Sequence, residues 1–302
     1  MRQLIRSIAF SLTLGILLLT LAGSVAAQTP PQMRTRYFTA LTNFEVENYL
    51  QRNDLIYIPV GMVQAHGVLP VDCAYVAAEA FALKMAEQTD GLVFPNMQFT
   101  YPGDGVIGRG TVQVSPSEGL AYMKAIARSL LRQGFKRQIY VTSNDAAAPQ
   151  TVSTLVLEFF YETRNPVLYL DADIISRIVN ADFTKILFGA YSIVGRLDDI
   201  PVNLTPEIPE IGMDEGLRKL QAVGASTGAQ NGTIGFFQTE DKAGPTGKAV
   251  TAEQREALAK EGVAMIEAAI KAADIKKVAQ SLRDHQRFTR EYIIPRFDSL
   301  LP

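Results

Sequence analysis

The sequence predicts an α/β protein whose sheet is mostly parallel and covered by helices on both faces. Three observations carry this. Short apolar runs of strand length alternate with longer stretches of helical periodicity, helix starts carry capping chemistry, and 47% apolar residues suffice for a sizeable core. Alternation of this kind predicts βαβ units, whose crossovers make the strands parallel and leave no sheet face open to water.

Leu55–Val60 is a short apolar run rich in β-formers, and Pro59, lacking a backbone donor, belongs near its end or at an edge. An alanine-rich helical stretch follows over about Tyr75–Gln88, then a second strand at Leu92–Pro95 and a glycine-rich passage from Tyr101 to Gly110. Ser115, Pro116 and Glu118 supply an N-cap, a first-turn proline and a capping box for a helix that Gly134 ends. Gln138–Thr142 reads as the third strand, Pro149–Thr163 as an apolar helix and Val167–Leu170 as the fourth strand. From about Ala181 to Ala249 the pattern weakens into what reads as loop-rich cover over the sheet edge. Thr251 to Gln254 form another capping box, before a helix with Leu258, Met265, Ile266, Ala269 and Ile270 on one face. The stretch Ser281–Phe297 alternates charge and aromatics, as suits a surface or a subunit contact.

The first 27 residues read as an export address. Arg2 and Arg6 precede an apolar run from Ile8 to Leu21, and Val25, Ala26 and Ala27 offer small residues for cleavage before Gln28. A retained membrane anchor is the alternative, since the stretch approaches spanning length. Residues 28–302 are then one domain, periplasmic or secreted, with no membrane contact after cleavage. Loss of residues 1–27 removes Arg2 and Arg6 and no acid, leaving a formal charge of −4, which excludes a nucleic-acid binder relying on a basic face. Cys73 is the only cysteine, so no internal disulfide can form.

Ligands in open parallel sheets bind beyond the carboxyl ends of the strands. The loops after Val60, Pro95 and Thr142 should therefore converge. Only two histidines occur, and His66 lies in the first of these loops, six residues before Asp72. Imidazole and carboxylate are ligands for Zn or Mn, but two of them do not define a site, and a histidine hydrogen-bonded to Asp72 would merely brace the loop. Cys73 suits a packed thiol better than a nucleophile. The glycines from Gly103 to Gly110 suit a flexible wall rather than a phosphate loop, and His285 a solvated surface.

The strand followed by Gly61, Gln64-Ala65-His66-Gly67, Leu69-Pro70 and Asp72 resembles the first signature of the creatininase family. Gly110-Thr111-Val112, Gly134–Thr142 and Pro245–Ala249 resemble three later family motifs, in order. The resemblance implies a three-layer α/β fold and a two-metal centre, with Zn or Mn, that hydrolyses amide bonds, often in cyclic substrates. It places His66 at the first histidine ligand and Asp72 at the aspartate that bridges the metals. Gln64 stands at the family's glutamate position, and Asn144 where a second histidine should follow the third strand, with Asp145 beside it as a substitute ligand or a helix cap. Ser192, or less well Asp214 or Glu215, falls at the last glutamate. One expectation is an exported amidohydrolase with a reduced metal site, occupied sub-stoichiometrically or not at all, lined by Gln64, His66, Asp72, Asn144 and Asp145. The other is a catalytically silent relative that binds a small amide-like ligand or a protein partner. The resemblance also implies a homo-oligomer.

Overall fold

The computed structural model describes residues 33–64, 66, 68–101, 106–107, 110–112, 114–143, 148–204, 219, 222–223, 233–234 and 250–302. The chain divides into two compact units, Met1–Arg34 and Thr35–Pro302. The leader read over residues 1–27 lies outside the described residues, as do Asn144, Asp145, Asp214, Glu215 and the motif at 245–249.

The second unit is built on a four-stranded parallel sheet of β1 (Leu55–Pro59), β2 (Leu92–Val93), β4 (Arg137–Thr142) and β5 (Leu168–Asp171), in the order β2-β1-β4-β5. A short parallel ladder joins β3 (Val106–Ile107) to β6 (Thr233–Ile234). Helix α1 (Asn43–Leu50) leads into β1, and α2 (Cys73–Thr89) connects β1 to β2. Further along come α3 (Pro116–Gln133), α4 (Ala148–Thr163), α5 (Ala172–Ile178) and α6 (Phe183–Ile193), and then α7 (Ala252–Ala272) and α8 (Ile275–Phe288).

Alternation along the strands divides the core into two layers. Leu55, Tyr57, Ile139 and Val141 pack with α2, α6, α7 and α8 in one apolar cluster. Gln138 and Tyr140 project to the other face. There the Gln138 amide donates to the carbonyls of Ala127 and Phe135 at 3.0 and 3.1 Å and accepts from the Tyr140 hydroxyl at 2.7 Å. Both residues are fully buried, and these bonds remove most of the cost of placing polar groups there. The sheet and its two helical layers are the expected three-layer α/β architecture.

Helix starts form where the capping chemistry predicts. Ser115 and Thr251 accept from the third helical residue of α3 and α7, and Glu118 and Gln254 complete the boxes. Gly134 ends α3 at φ 110°, a left-handed conformation that costs a glycine little. One expectation is corrected. Residues 183–193 are not loop cover but the buried helix α6, with Ile186, Leu187, Phe188, Ala190 and Tyr191 in the core. None of its residues is exposed, so it lacks the solvent-facing polar side of a surface helix.

Candidate functional site

The carboxyl ends of β1 and β2 run on side by side. Val60 bridges Met97, Met62 bridges Phe99, and the Thr100 hydroxyl donates to the Gly61 carbonyl at 2.5 Å. Gly61 lies directly on the start of α2, where a Cβ would come within 2.6 Å of Tyr75 Cα. The chain then folds back on itself: Gln64 N–H donates to the Val71 carbonyl at 2.9 Å and Leu69 N–H to that of His66 at 3.1 Å. Val112 N–H donates to the Val63 carbonyl at 3.0 Å, tying in the passage after the glycine-rich stretch. The loops after β1 and β2 therefore meet, with Gln64, His66 and Asp72 on one tight turn at the base of α2. The loop after β4 is described only to Ser143, whose hydroxyl donates to Asp173 at 3.0 Å.

Gln64 and His66 form a buried pair, 5% and 3% exposed. Their Nε2 atoms lie 2.8 Å apart, so the Gln64 amide donates and His66 accepts, carrying its own proton on Nδ1. Burial lowers the His66 pKa to about 4, and the imidazole is neutral at physiological pH. Gln64 Oε1 is buried with no hydrogen-bond partner among the described residues.

Asp72 stands at the N-cap of α2, but its side chain does not cap the helix. Oδ1 instead accepts from the Tyr191 hydroxyl at 2.5 Å, and Oδ2 from the Tyr75 hydroxyl at 2.9 Å and from Arg196 Nη2 at 2.7 Å. Burial alone would raise this carboxyl's pKa; the bonds from Tyr191, Arg196 and Tyr75 outweigh it and hold the pKa below the ordinary value. Helix α6 brings Tyr191 here. The turn after it carries Arg196, whose N–H donates to the Tyr191 carbonyl at 2.8 Å and whose guanidinium lies 5.6 Å from the centre of the Tyr191 ring. Arg196 Nε also donates to Asp199 at 2.6 Å, so one cation serves two carboxylates.

His66 and Asp72 thus sit on one turn, but neither is the other's hydrogen-bond partner in this arrangement; Gln64 takes the imidazole and Tyr75, Tyr191 and Arg196 take the acid. Cys73 is fully buried in the core cluster. Three residues at the site escaped the sequence reading. Tyr75 had a signal, since it lies three positions after Asp72 on the same helix. Tyr191 and Arg196 had none beyond the alignment of Gly189–Ser192 with the last ligand motif, which finds the right helix and misses the contacting residue by one.

The described donors do not fit a two-metal centre. They offer one imidazole, one neutral amide and one carboxylate already paired with a guanidinium, and no group of three His, Cys, Asp or Glu able to hold a metal occurs among the described residues.

A covered parallel sheet with a polar cluster beyond its strand ends defines a three-layer α/β protein whose cluster lies where open sheets of this kind bind ligands. Residues 39–186 match the family model Creatininase, described as creatinine amidohydrolase. Solved structures agree in fold. A manganese creatininase is 16% identical with a TM-score of 0.54, covering 79% of this chain and 98% of its own. A creatininase variant described as Zn-Zn type scores 0.53 and another creatinine amidohydrolase 0.52, both again at 16% identity and 79% of this chain, covering 98% and 97% of their own. No curated protein matches the chain.

Proposed function

We propose that this chain is a creatininase-fold binding protein that holds a small amide-bearing ligand beyond the ends of β1 and β2 without hydrolysing it through a metal pair. The observation that carries this is the engagement of both Asp72 oxygens by Tyr191, Tyr75 and Arg196. A bridging aspartate must offer one oxygen to each of two cations. Here a divalent ion would have to enter beside a guanidinium, and like charges roughly 4 Å apart repel by about 4 kcal/mol per unit pair at an effective dielectric constant near 20, doubled for a divalent ion. Arg196 supplies the positive charge that a metal would otherwise bring. Gln64 Oε1 is the natural acceptor for a ligand N–H, because an orphaned buried acceptor costs about 1–3 kcal/mol until something donates to it.

Metal analysis tests the reading. After exchange into manganese or zinc and desalting, the expected content is below about a tenth of an equivalent, with no turnover of creatinine or other cyclic amides. Calorimetry with those same compounds should show binding that Gln64→Leu weakens. Stoichiometric metal with turnover would overturn the proposal.

The second reading, an amidohydrolase with a reduced metal site, draws support from the neutral state of His66, the form that metal binding needs. Gln64→Glu with Arg196→Ala separates the two. Binding without metal predicts that the double variant gains manganese or zinc affinity while the parent has none; a parent that already binds as tightly favours the reduced metal site. Export, a periplasmic or secreted location and assembly as a homo-oligomer are part of the same proposal.

A further inference from the structure

Opposite the candidate site, at the amino ends of β1 and β4, two concavities adjoin. One of about 600 Å³ is lined by Arg52, Lys136, Arg283, Arg287 and Arg290 among others, and one of about 480 Å³ by Arg52, Lys276 and Arg283. Arg52, Asn53 and Arg283 line both, so the pair forms one continuous surface. Both volumes fall in the range of small-ligand sites, about 300–1,000 Å³.

The charge here runs against that of the chain, which is −2 overall. The carboxylates nearby are already engaged. Asp54 accepts from Arg137 at 2.5 Å, Glu87 pairs with Lys84 at 3.3 Å, Asp90 with Arg36 and Arg52, Asp284 with Arg287 at 3.0 Å and Glu291 with Arg290 at 3.3 Å. Lys136, Lys276 and Arg283 are exposed and have no carboxylate partner among the described residues. Basic residues at helix C-termini have an ordinary explanation, and α1, α2 and α3 do end at this surface, at Gln51, Asp90 and Gly134. Each helix end carries about half a negative charge. Three ends therefore offset about one and a half of the three uncommitted cations, and a net positive charge remains.

We propose that this surface is a second site, distinct from the cluster around Asp72, that binds a multiply charged phosphate-bearing anion. Arg283 forms the wall between the two concavities and can reach either, while Lys136 and Lys276 each serve one. A guanidinium flanked by two ammonium groups recognises a ligand with at least two anionic groups, because a single charge would leave the others unmatched. A second copy of the same face would bring like charges together, which disfavours self-docking here. The ligand's phosphates could belong to a free polyphosphate or to clustered lipid headgroups.

Isothermal titration of the full chain with inorganic tripolyphosphate, and co-sedimentation with vesicles containing phosphatidylglycerol, distinguish these sources. Binding to either probe is expected, weakening at least tenfold between low salt and 0.5 M NaCl. The triple variant Lys136→Gln, Lys276→Gln, Arg283→Gln should lose at least tenfold in affinity with an unchanged thermal midpoint, since all three side chains are exposed. Single Arg283→Gln serves if the triple variant folds poorly. Tripolyphosphate competing with vesicles assigns the site to phosphate chemistry in general, and vesicle binding without competition assigns it to the lipid surface. Binding to neither probe at millimolar concentration, or binding that the variants leave intact, overturns the proposal. Neither result bears on metal or amide binding at Asp72.

Discussion

Asp72 shows how one residue type can keep its position and change its chemistry. Its place at the base of α2 is legible in the sequence, but its partners are not, because Tyr191 lies 119 positions away and reaches it only once α6 has packed. Tyr191→Phe removes a donor to a buried carboxylate and should cost about 1.5–3 kcal/mol in a denaturant titration; a change below about 0.5 kcal/mol would mean that the contact does not hold the acid. His66 offers a pH test. Its folded pKa of about 4 lies below the unfolded value of 6.5, so between these pH values the unfolded chain binds a proton that the folded chain refuses. Its stabilising contribution is complete above pH 6.5, falls as the pH drops toward 4, and is constant below that. Full loss amounts to about 3 kcal/mol. Asp72, also depressed in the fold, loses its contribution only at lower pH, as its carboxyl protonates. Comparing urea unfolding of the parent and His66→Gln at pH 7.5 and 4.5 isolates the histidine: the parent should lose about 2–3 kcal/mol more than the variant between the two conditions. Equal losses would show that the imidazole is not kept neutral by burial.

Among the elements, the helices with both a capping box and a solvent-facing side were readable, and the helix with no exposed residue was not. The capping residues Ser115, Glu118, Thr251 and Gln254 mark α3 and α7 because a cap is a contact within four residues. Helix α6 has a cap as well, Asp182 accepting from Lys185 N–H at 3.1 Å, but it has no exposed polar face, and its place is fixed by a contact with α7 that only tertiary structure reveals. Gly189 and Gly262 meet there: a Cβ on Gly262 would lie 1.7 Å from the Lys185 carbonyl oxygen, and one on Gly189 2.3 Å from the Gly262 carbonyl carbon. Both obstacles are backbone, so neither can swing aside. Gly262→Ala should therefore push the two helices apart and cost about 3 kcal/mol, at the upper end of the overpacking range. Because α6 carries Tyr191, the same substitution should weaken ligand binding at Asp72 without touching the site. Thermal unfolding and titration on one preparation check both effects, and an unchanged midpoint would rule out the close approach of the helices.

At the scale of the molecule, the fold was legible in the sequence, while the address is a proposal that rests on a different kind of signal. The parallel sheet follows from alternation of apolar runs, which fixes the crossovers before any side-chain contact is known. Only the pairing of strand ends places Gln64 and His66 beside Asp72, and residues 144 and 145 lie outside what the structure describes. The leader rests on composition, with Arg2 and Arg6 ahead of an apolar run and small residues at 25–27. With one cysteine, buried in the core, the chain must reach stability by packing alone, and the proposed export to an oxidising compartment would give it no internal disulfide to form. Two measurements follow from this. Expressed with a C-terminal tag in a bacterium, the protein should appear in the periplasmic or secreted fraction with Gln28 at its amino end. Its thermal midpoint should be the same with and without dithiothreitol, since no disulfide is there to reduce. A chain kept in the membrane with Met1 intact would replace cleavage by anchoring, and a midpoint lowered by reductant would point to Cys73 pairing between chains, against its burial beneath α6 and α7.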